Sequence, residues 1–122
     1  MVMRRIHRNT ILIYLFLAMV GFSSACFAQQ KKIDTVAIKT SAVCGQCKDR
    51  IEGCLAYEKG VKSGNLDVET KIATIIYNPA KTSPAVLRNT LSKLGYDADT
   101  IPANQAAYNK LPACCKKDAP KH

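Results

Sequence analysis

The sequence predicts an α+β fold in two layers, with a four-stranded antiparallel sheet and two helices on one face. Two segments carry apolar residues at helical spacing, and four shorter segments are rich in β-branched residues or alternate between apolar and polar residues. They follow one another in the order β-α-β-β-α-β. Two amphipathic helices can cover one face of such a sheet, and this order is the ferredoxin-like arrangement.

The first strand and the first helix are predicted on either side of a loop that contains a cysteine. Ile33 to Thr40 alternates and is rich in β-branched residues, which is typical of a strand. Residues 41–46 are predicted as the loop. The apolar face of the helix that follows consists of Cys47, Ile51, Cys54 and Leu55. Gly60 is expected to end this helix.

A hairpin, a second helix and a weak strand complete the pattern. Val61 to Val68 and Ile72 to Tyr77 are close enough in sequence to pair as a hairpin. Thr82-Ser83-Pro84 has the hydroxyl cap and first-turn proline of a helix start, and Gly95 ends the helix. The apolar stripe of this helix consists of Val86, Leu87, Thr90, Leu91 and Leu94. Tyr96 to Ile101 is predicted as the last strand.

The first 28 residues are predicted to be a secretory signal peptide. Three arginines precede a nearly unbroken apolar run from Ile11 to Gly21, and small residues follow it. Cleavage after Ala28 fits the small residues required at such a site. Two alternatives are a membrane anchor, for which the run is short, and a lipid-modified Cys26, which lacks the large aliphatic residue usual three positions before it.

The chain therefore divides into a signal peptide (1–28), a domain (29–102) and a C-terminal tail (103–122). The location expected for the mature protein is the periplasm or the outside of the cell. A helical turn can form in the tail around Tyr108, whereas Lys116 onward is expected to be disordered.

Composition argues against several classes of function. Beyond residue 28 the chain has 15 Lys and Arg against 9 Asp and Glu, a net charge of +6, but these residues are spread thinly. Aromatic residues make up only 7% of the chain and there is no Trp, so neither base stacking nor a large pocket for an organic substrate is expected. We therefore expect no nucleic-acid partner, no organic substrate and no enzymatic activity.

Cysteine use is the most informative feature. Beyond residue 28 the cysteines are Cys44, Cys47, Cys54, Cys114 and Cys115. An odd number cannot pair completely within one chain. Their grouping as C-x-x-C and C-C also differs from the dispersed spacing of a disulfide framework, which favours a role other than crosslinking.

Cys44 and Cys47 form a C-x-x-C motif at the start of the first predicted helix. Two intervening residues allow both sulfurs to converge on one point, and the positive end of the helix dipole stabilises a thiolate there. Thiolates are soft ligands that select ions such as Cu(I). Two of them suffice for Cu(I) or Hg(II) but leave a structural Zn(II) site two ligands short.

In this context the sequence resembles the heavy-metal-associated domain family. The matching residues are Cys44-x-x-Cys47-x-x-x-Ile51-Glu52-x-x-Leu55, then Gly60-Val61, then Ile76-Tyr77-Asn78-Pro79, then Leu94-Gly95-Tyr96. The resemblance implies the ferredoxin-like fold and a surface metal site on the first loop. It also implies that Tyr96 lies beside this loop, as the corresponding tyrosine does in copper-carrying members. One departure is Ala42, which stands where the family usually has a Met that braces the loop.

Three further cysteines are interpreted separately. Cys54 is expected to be a buried, inert small residue. Cys114 and Cys115 lie outside the family pattern, and several interpretations stay open. They can add auxiliary thiolates to the metal if the tail folds back over the loop, pair with Cys44 or Cys47, join two chains, or be incidental.

The predicted function is that of an exported metallochaperone or scavenger, which holds Cu(I) or a similar ion through Cys44 and Cys47. Zn(II), Hg(II) and Cd(II) are the other candidate ions. The expected partner is a metal-transporting membrane protein or another metal-accepting domain. The alternatives are a thiol-disulfide oxidoreductase that uses the same C-x-x-C motif, and an interaction domain whose cysteines are simply disulfide-bonded.

Overall fold

The computed structural model describes residues 2–20 and 32–120, which belong to two separate compact units divided near residue 30. The first unit contains a single helix, α1 (Val2–Val20). Its described side chains are exposed. None of the helices in the described residues is long and apolar enough to cross a membrane. The predicted cleavage site after Ala28 and the alternative lipid site at Cys26 lie outside the described residues.

The second unit contains three strands and three helices. In chain order these are β1 (Asp34–Lys39), α2 (Gly45–Tyr57), β2 (Val61–Asp67), β3 (Ile72–Tyr77), α3 (Pro84–Leu94) and α4 (Gln105–Asn109), followed by a 3-10 turn at Ala113–Cys115. The order of the first five elements is the predicted one. The C-terminal segment that follows them is more ordered than the sequence indicates.

The three strands form an antiparallel sheet in the order β1-β3-β2. Ile38 is opposite Ala73 across β1 and β3, and Leu66 is opposite Ala73 across β2 and β3. These three residues and Ile75 are almost completely buried, whereas their sequence neighbours Thr74 and Ile76 are exposed. The alternation predicted from the sequence thus places one face of the sheet in the core.

Both α2 and α3 contribute to the same core as the sheet. Its helical members are Cys47, Ile51, Leu55, Leu87 and Leu91, all fully buried. Gly64 permits the close approach of α2 to β2, because a Cβ at this position would lie 2.6 Å from Leu55 Cδ1. Burial of apolar side chains on this scale is the main stabilising contribution to a small domain.

The predicted ends of α3 are confirmed. The Ser83 hydroxyl accepts a hydrogen bond from the Val86 N–H, and Pro84 occupies the first turn. Gly95 ends the helix with φ of 109°, a left-handed conformation that glycine adopts without steric strain.

The predicted fourth strand is present only as isolated bridges. Ala98 pairs with Thr40 at the edge of β1 and also with Ile101, because the chain reverses direction at Asp99, where φ is 51°. Asp99 makes the hydrogen bonds to Lys39 that a fourth strand would make. Its N–H donates to the Lys39 carbonyl, and its carboxylate accepts the Lys39 N–H. Pro102 has no N–H with which to extend a ladder.

At the opposite edge of the sheet, an ion pair on α2 covers β2. Lys48 and Glu52 are in contact at 2.6 Å. Lys48 also donates to the Leu66 carbonyl, and Glu52 accepts the Leu66 N–H at 2.8 Å. In the structure, both side chains bind the outward-facing backbone groups of an edge strand.

Candidate metal centre

The C-x-x-C motif lies where the loop after β1 meets the start of α2. Cys44 is the N-cap residue of α2, and its side chain makes no capping hydrogen bond, so its thiol is available for other contacts. Cys47 is in the first turn and fully buried, while Cys44 is half-buried. The two Sγ atoms are 3.4 Å apart and both thiols are free. The structure therefore brings the two sulfurs together, with one of them accessible from solvent.

Two hydroxyl groups hold the loop that precedes Cys44. Thr40 Oγ1 donates to the Lys71 carbonyl and accepts the Ala42 N–H, and Ser41 Oγ accepts the Asp97 N–H at 2.9 Å. Ala42 itself is fully buried. The bracing expected of a methionine at position 42 in the family is therefore supplied here in part by hydroxyls. Sequence reasoning missed Thr40 and Ser41, whose only signal is their position where the predicted strand meets the loop.

Tyr96 lies beside the C-x-x-C loop, as the family resemblance implied. Its side chain is fully buried. Burial raises the pKa of Tyr96 above its ordinary value, and the neighbouring thiols of Cys47 and Cys115 raise it further. Within residues 32–120, no group forms a hydrogen bond of normal geometry with the Tyr96 hydroxyl. The O–H group of Tyr96 is thus buried beside two sulfurs without a well-formed hydrogen bond.

The tail brings a third sulfur to the pair. Cys115 is 1% exposed, and its Sγ is 3.9 Å from that of Cys44. The three Sγ atoms of Cys44, Cys47 and Cys115 all lie within 4.8 Å of one another. Burial, together with the neighbouring Cys47 thiol, raises the pKa of Cys115 to about 12.

The two tail cysteines have different surroundings, although no local sequence pattern distinguishes them. Cys114 is half-buried and its Sγ donates to Gln46 Oε1 at 2.8 Å. It is not part of the three-sulfur cluster. Of the vicinal pair, only Cys115 points toward Cys44 and Cys47.

Several specific contacts hold the tail against the domain. Leu111 is 4% exposed and belongs to the core. Lys117 forms an ion pair with Asp97, and the Lys117 N–H donates to the Tyr108 hydroxyl. The expectation that the chain is disordered from Lys116 onward is therefore wrong for the part up to Pro120 that the structure describes.

Cys54 does not belong to the cluster. It lies on α2 seven residues after Cys47, near Glu58 and Thr90, and is half-buried rather than fully buried as expected. Burial raises the pKa of the Cys54 thiol, and Glu58 adds to the effect.

The fold and the cysteine cluster define a small α+β domain that presents thiols on its first loop. Residues 38–97 match the family model of the heavy-metal-associated domain. This part of the chain is therefore a heavy-metal-associated domain, as the motifs predicted. The matched segment contains Cys44, Cys47 and Tyr96 but ends before the tail that carries Cys115.

The curated relatives are much longer proteins. The chain is 33% identical over 79 residues to a copper-exporting P-type ATPase of Staphylococcus epidermidis, which covers 65% of this chain and 9% of the relative. It is 38% identical over 61 residues to copper-transporting ATPase 1 of Rattus norvegicus, covering 50% of this chain and 4% of the relative. The matched segments thus make up less than a tenth of the length of these transporters.

Solved structures agree on the fold. The water-soluble region of the P-type ATPase CopA from Bacillus subtilis is 32% identical with a TM-score of 0.53, covering 56% of this chain and 46% of that one. A CopZ metallochaperone is 23% identical with a TM-score of 0.52, covering 53% of this chain and 98% of that one. At that identity the second comparison shows the ferredoxin-like fold alone.

Proposed function

We propose that this protein binds one soft metal ion, with Cu(I) as its cargo, through the thiolates of Cys44 and Cys47. The observation that carries the proposal is the pair of free thiols, 3.4 Å apart, at the N-terminus of α2. Sulfur ligands select soft ions. The unsatisfied backbone N–H groups of the first helical turn stabilise the negative charge that develops when both thiols lose their protons.

The different burial of the two sulfurs suits transfer of the ion rather than permanent storage. Cys47 is fully buried, whereas Cys44 is half-buried. A thiolate of an acceptor can approach the ion from the side of Cys44, displace that ligand first and Cys47 second. We propose a metal-accepting domain, of a transporter or of another protein, as the acceptor, in line with the copper-exporting and copper-transporting names of the relatives.

Competition for Cu(I) against a chromophoric chelator tests the metal assignment. The reduced protein, produced from the full chain, is expected to bind one Cu(I), and Cys44→Ser and Cys47→Ser are each expected to lose tight binding. Cys54→Ser is the matched control, since Cys54 lies outside the cluster, and its affinity should equal that of the wild type. Near-native affinity in both site variants would contradict the proposal. Parallel titrations with Zn(II), Hg(II) and Cd(II) rank the ions.

We also propose that the protein is exported and that its first 28 residues are removed. The three arginines and the apolar run of this segment support the proposal. Expression of the full chain followed by fractionation and intact-mass measurement tests it. The expected product lies outside the cytoplasm and begins at Gln29. An intact chain retained in the cytoplasm would argue against export.

A further inference from the structure

The cysteine cluster contains one more ligand than the family motif supplies. The match to the heavy-metal-associated domain ends at residue 97, and Cys115 lies in the chain beyond it. Even so, the Cys115 Sγ is 3.9 Å from Cys44 Sγ and within 4.8 Å of Cys47 Sγ. A position shared by three sulfurs is a different coordination site from one shared by two.

The distances between the sulfurs fit a three-coordinate ion. Sulfurs bound at roughly 2.3 Å from a soft ion in a trigonal plane lie about 4 Å from one another, whereas two sulfurs in linear coordination lie about 4.6 Å apart. The observed pair distances of 3.4 and 3.9 Å, with all three sulfurs within 4.8 Å, need only small side-chain movements to reach the trigonal arrangement.

The Tyr96 hydroxyl independently indicates that the sulfurs of the cluster become negatively charged thiolates when an ion binds. This hydroxyl is buried beside Cys47 and Cys115 and, within the described chain, has no hydrogen-bond partner of normal geometry. A buried donor without an acceptor is unfavourable by about 1–3 kcal/mol. A metal-bound thiolate is a better acceptor than a neutral thiol, so binding of an ion strengthens the poorly formed contact between this hydroxyl and the sulfurs.

The position of Cys115 is set by contacts on both sides of it. Before it in the chain, Leu111 is buried in the core and Cys114 donates to Gln46. After it, Lys117 forms an ion pair with Asp97. The third thiol is therefore placed by packing, hydrogen bonding and charge rather than by chance.

We propose that Cys115 is a third thiolate ligand, so that the tail closes over the loop and the ion is held by Cys44, Cys47 and Cys115 together. This rests on the proposed function and specifies its coordination. Binding forms three metal–sulfur bonds and releases the three thiol protons to solvent, which leaves a complex of Cu(I) with a net charge of −2. An acceptor that approaches from the half-buried Cys44 then meets an ion held by three bonds instead of two, so release also requires the bond to the tail cysteine to break.

The sulfur count around Cu(I) tests this directly. X-ray absorption spectroscopy on the Cu(I)-loaded wild type is expected to give three sulfur neighbours, and Cys115→Ser is expected to give two. Cys54→Ser is the matched control, because it changes a half-buried cysteine that lies outside the cluster, and it should keep three. Loss of a metal site's outer-shell partner typically lowers affinity 10–100-fold, so loss of a direct ligand in Cys115→Ser should lower Cu(I) affinity by at least about tenfold.

The outcomes separate this inference from the proposed function. Two sulfurs in the wild type, or equal losses of affinity in Cys115→Ser and Cys54→Ser, would overturn the third ligand and leave the Cys44–Cys47 site standing. A wild type that binds no Cu(I) would overturn the proposed function as well. Because Cys115 is buried, Cys115→Ala keeps a small apolar side chain in the core, and circular dichroism checks its fold. The wild-type sulfur count requires no variant.

Discussion

Asp97 joins the domain to the tail through two contacts made by its two carboxylate oxygens. Oδ2 is paired with the Lys117 ammonium, and Oδ1 accepts the Ala103 N–H at 2.8 Å. Asp97 follows Tyr96 directly and Lys117 is two residues beyond Cys115. This ion pair thus connects the segment that contains Tyr96 to the segment that carries Cys115.

Lys117→Ala is expected to loosen the tail with little effect on the domain. The two side chains are 46% and 31% exposed, so the pair contributes no more than about 1 kcal/mol to folding. Hydrogen exchange of the amides of residues 111–117 should become faster, and Cu(I) transfer to an acceptor chelator should accelerate. Lys110→Ala removes an equal charge from an exposed tail position and is the control. Equal transfer rates in the two variants would argue against a role of the tail in release.

Tyr96→Phe is expected to act in opposite directions on the metal-free and the metal-loaded protein. In the metal-free state it removes a buried hydroxyl that lacks a partner, so the free energy of unfolding should stay the same or rise by about 1 kcal/mol. In the loaded state it removes a donor to a thiolate, so Cu(I) affinity should fall by several-fold. Denaturant unfolding without metal and chelator competition with Cu(I) measure the two effects.

The comparison for this variant is Tyr77→Phe. Tyr77 is also buried, but its hydroxyl contacts Asp34 at 3.4 Å, far along the sheet from the cluster. It should leave Cu(I) affinity unchanged. Destabilisation of the metal-free protein by Tyr96→Phe would mean that the hydroxyl already has a partner there.

The elements that contact near neighbours in the sequence could be predicted. The C-x-x-C loop, the apolar faces of α2 and α3 and the hairpin depend on local periodicity and on turn residues, and each lies where the pattern indicated. Two members of the predicted apolar faces are exceptions: Cys54 is half-buried and Val86 is exposed. The convergence of Cys44 and Cys47 follows from their spacing at a helix start. The family motifs add Tyr96, which spacing alone cannot place.

The features that were missed depend on contacts between distant residues. Asp99 replaces the fourth strand because it binds the backbone of Lys39, 60 residues earlier. Cys115 reaches Cys44 across 71 residues, and Cys114 reaches Gln46 across 68. No local pattern distinguishes Cys114 from Cys115, since the distinction arises only when the tail has docked.

Asp99→Asn is expected to reduce the acid sensitivity of the fold. The hydrogen bond from Arg88 Nε holds the pKa of Asp99 below its ordinary value. The folded pKa is thus below the unfolded value of about 3.9, so the stabilisation is fully present above pH 4 or so and is lost as the pH falls through the folded pKa. Because the carboxylate is 29% exposed, the contribution at pH 7 is about 0.5 kcal/mol.

Asparagine is the appropriate replacement at this position. It tolerates the left-handed backbone of Asp99, and its amide oxygen can still accept the Lys39 N–H. Urea unfolding from pH 7 to pH 2.5 is the measurement. The difference in stability between wild type and variant should shrink as the pH falls below 4. A constant difference over this range would show that the carboxylate charge is not the cause.

Gly95→Ala is expected to disturb the tail as well as the end of α3. Gly95 has φ of 109°, and a Cβ there would lie 3.1 Å from backbone atoms of Ala107 and Tyr108. The left-handed strain alone should lower the free energy of unfolding by about 1 kcal/mol or more. Because the clash is with backbone, α4 must shift, and Cys115 lies eight residues beyond Ala107. Cu(I) affinity should therefore fall together with stability.

Gly53→Ala is the control. Gly53 is an exposed position inside α2 where an added Cβ meets open space, and alanine there should stabilise the helix by roughly 0.5–1 kcal/mol. Thermal unfolding and Cu(I) competition on both variants would separate an effect on the tail from a general effect of replacing glycine, since only Gly95→Ala should change the affinity for the ion.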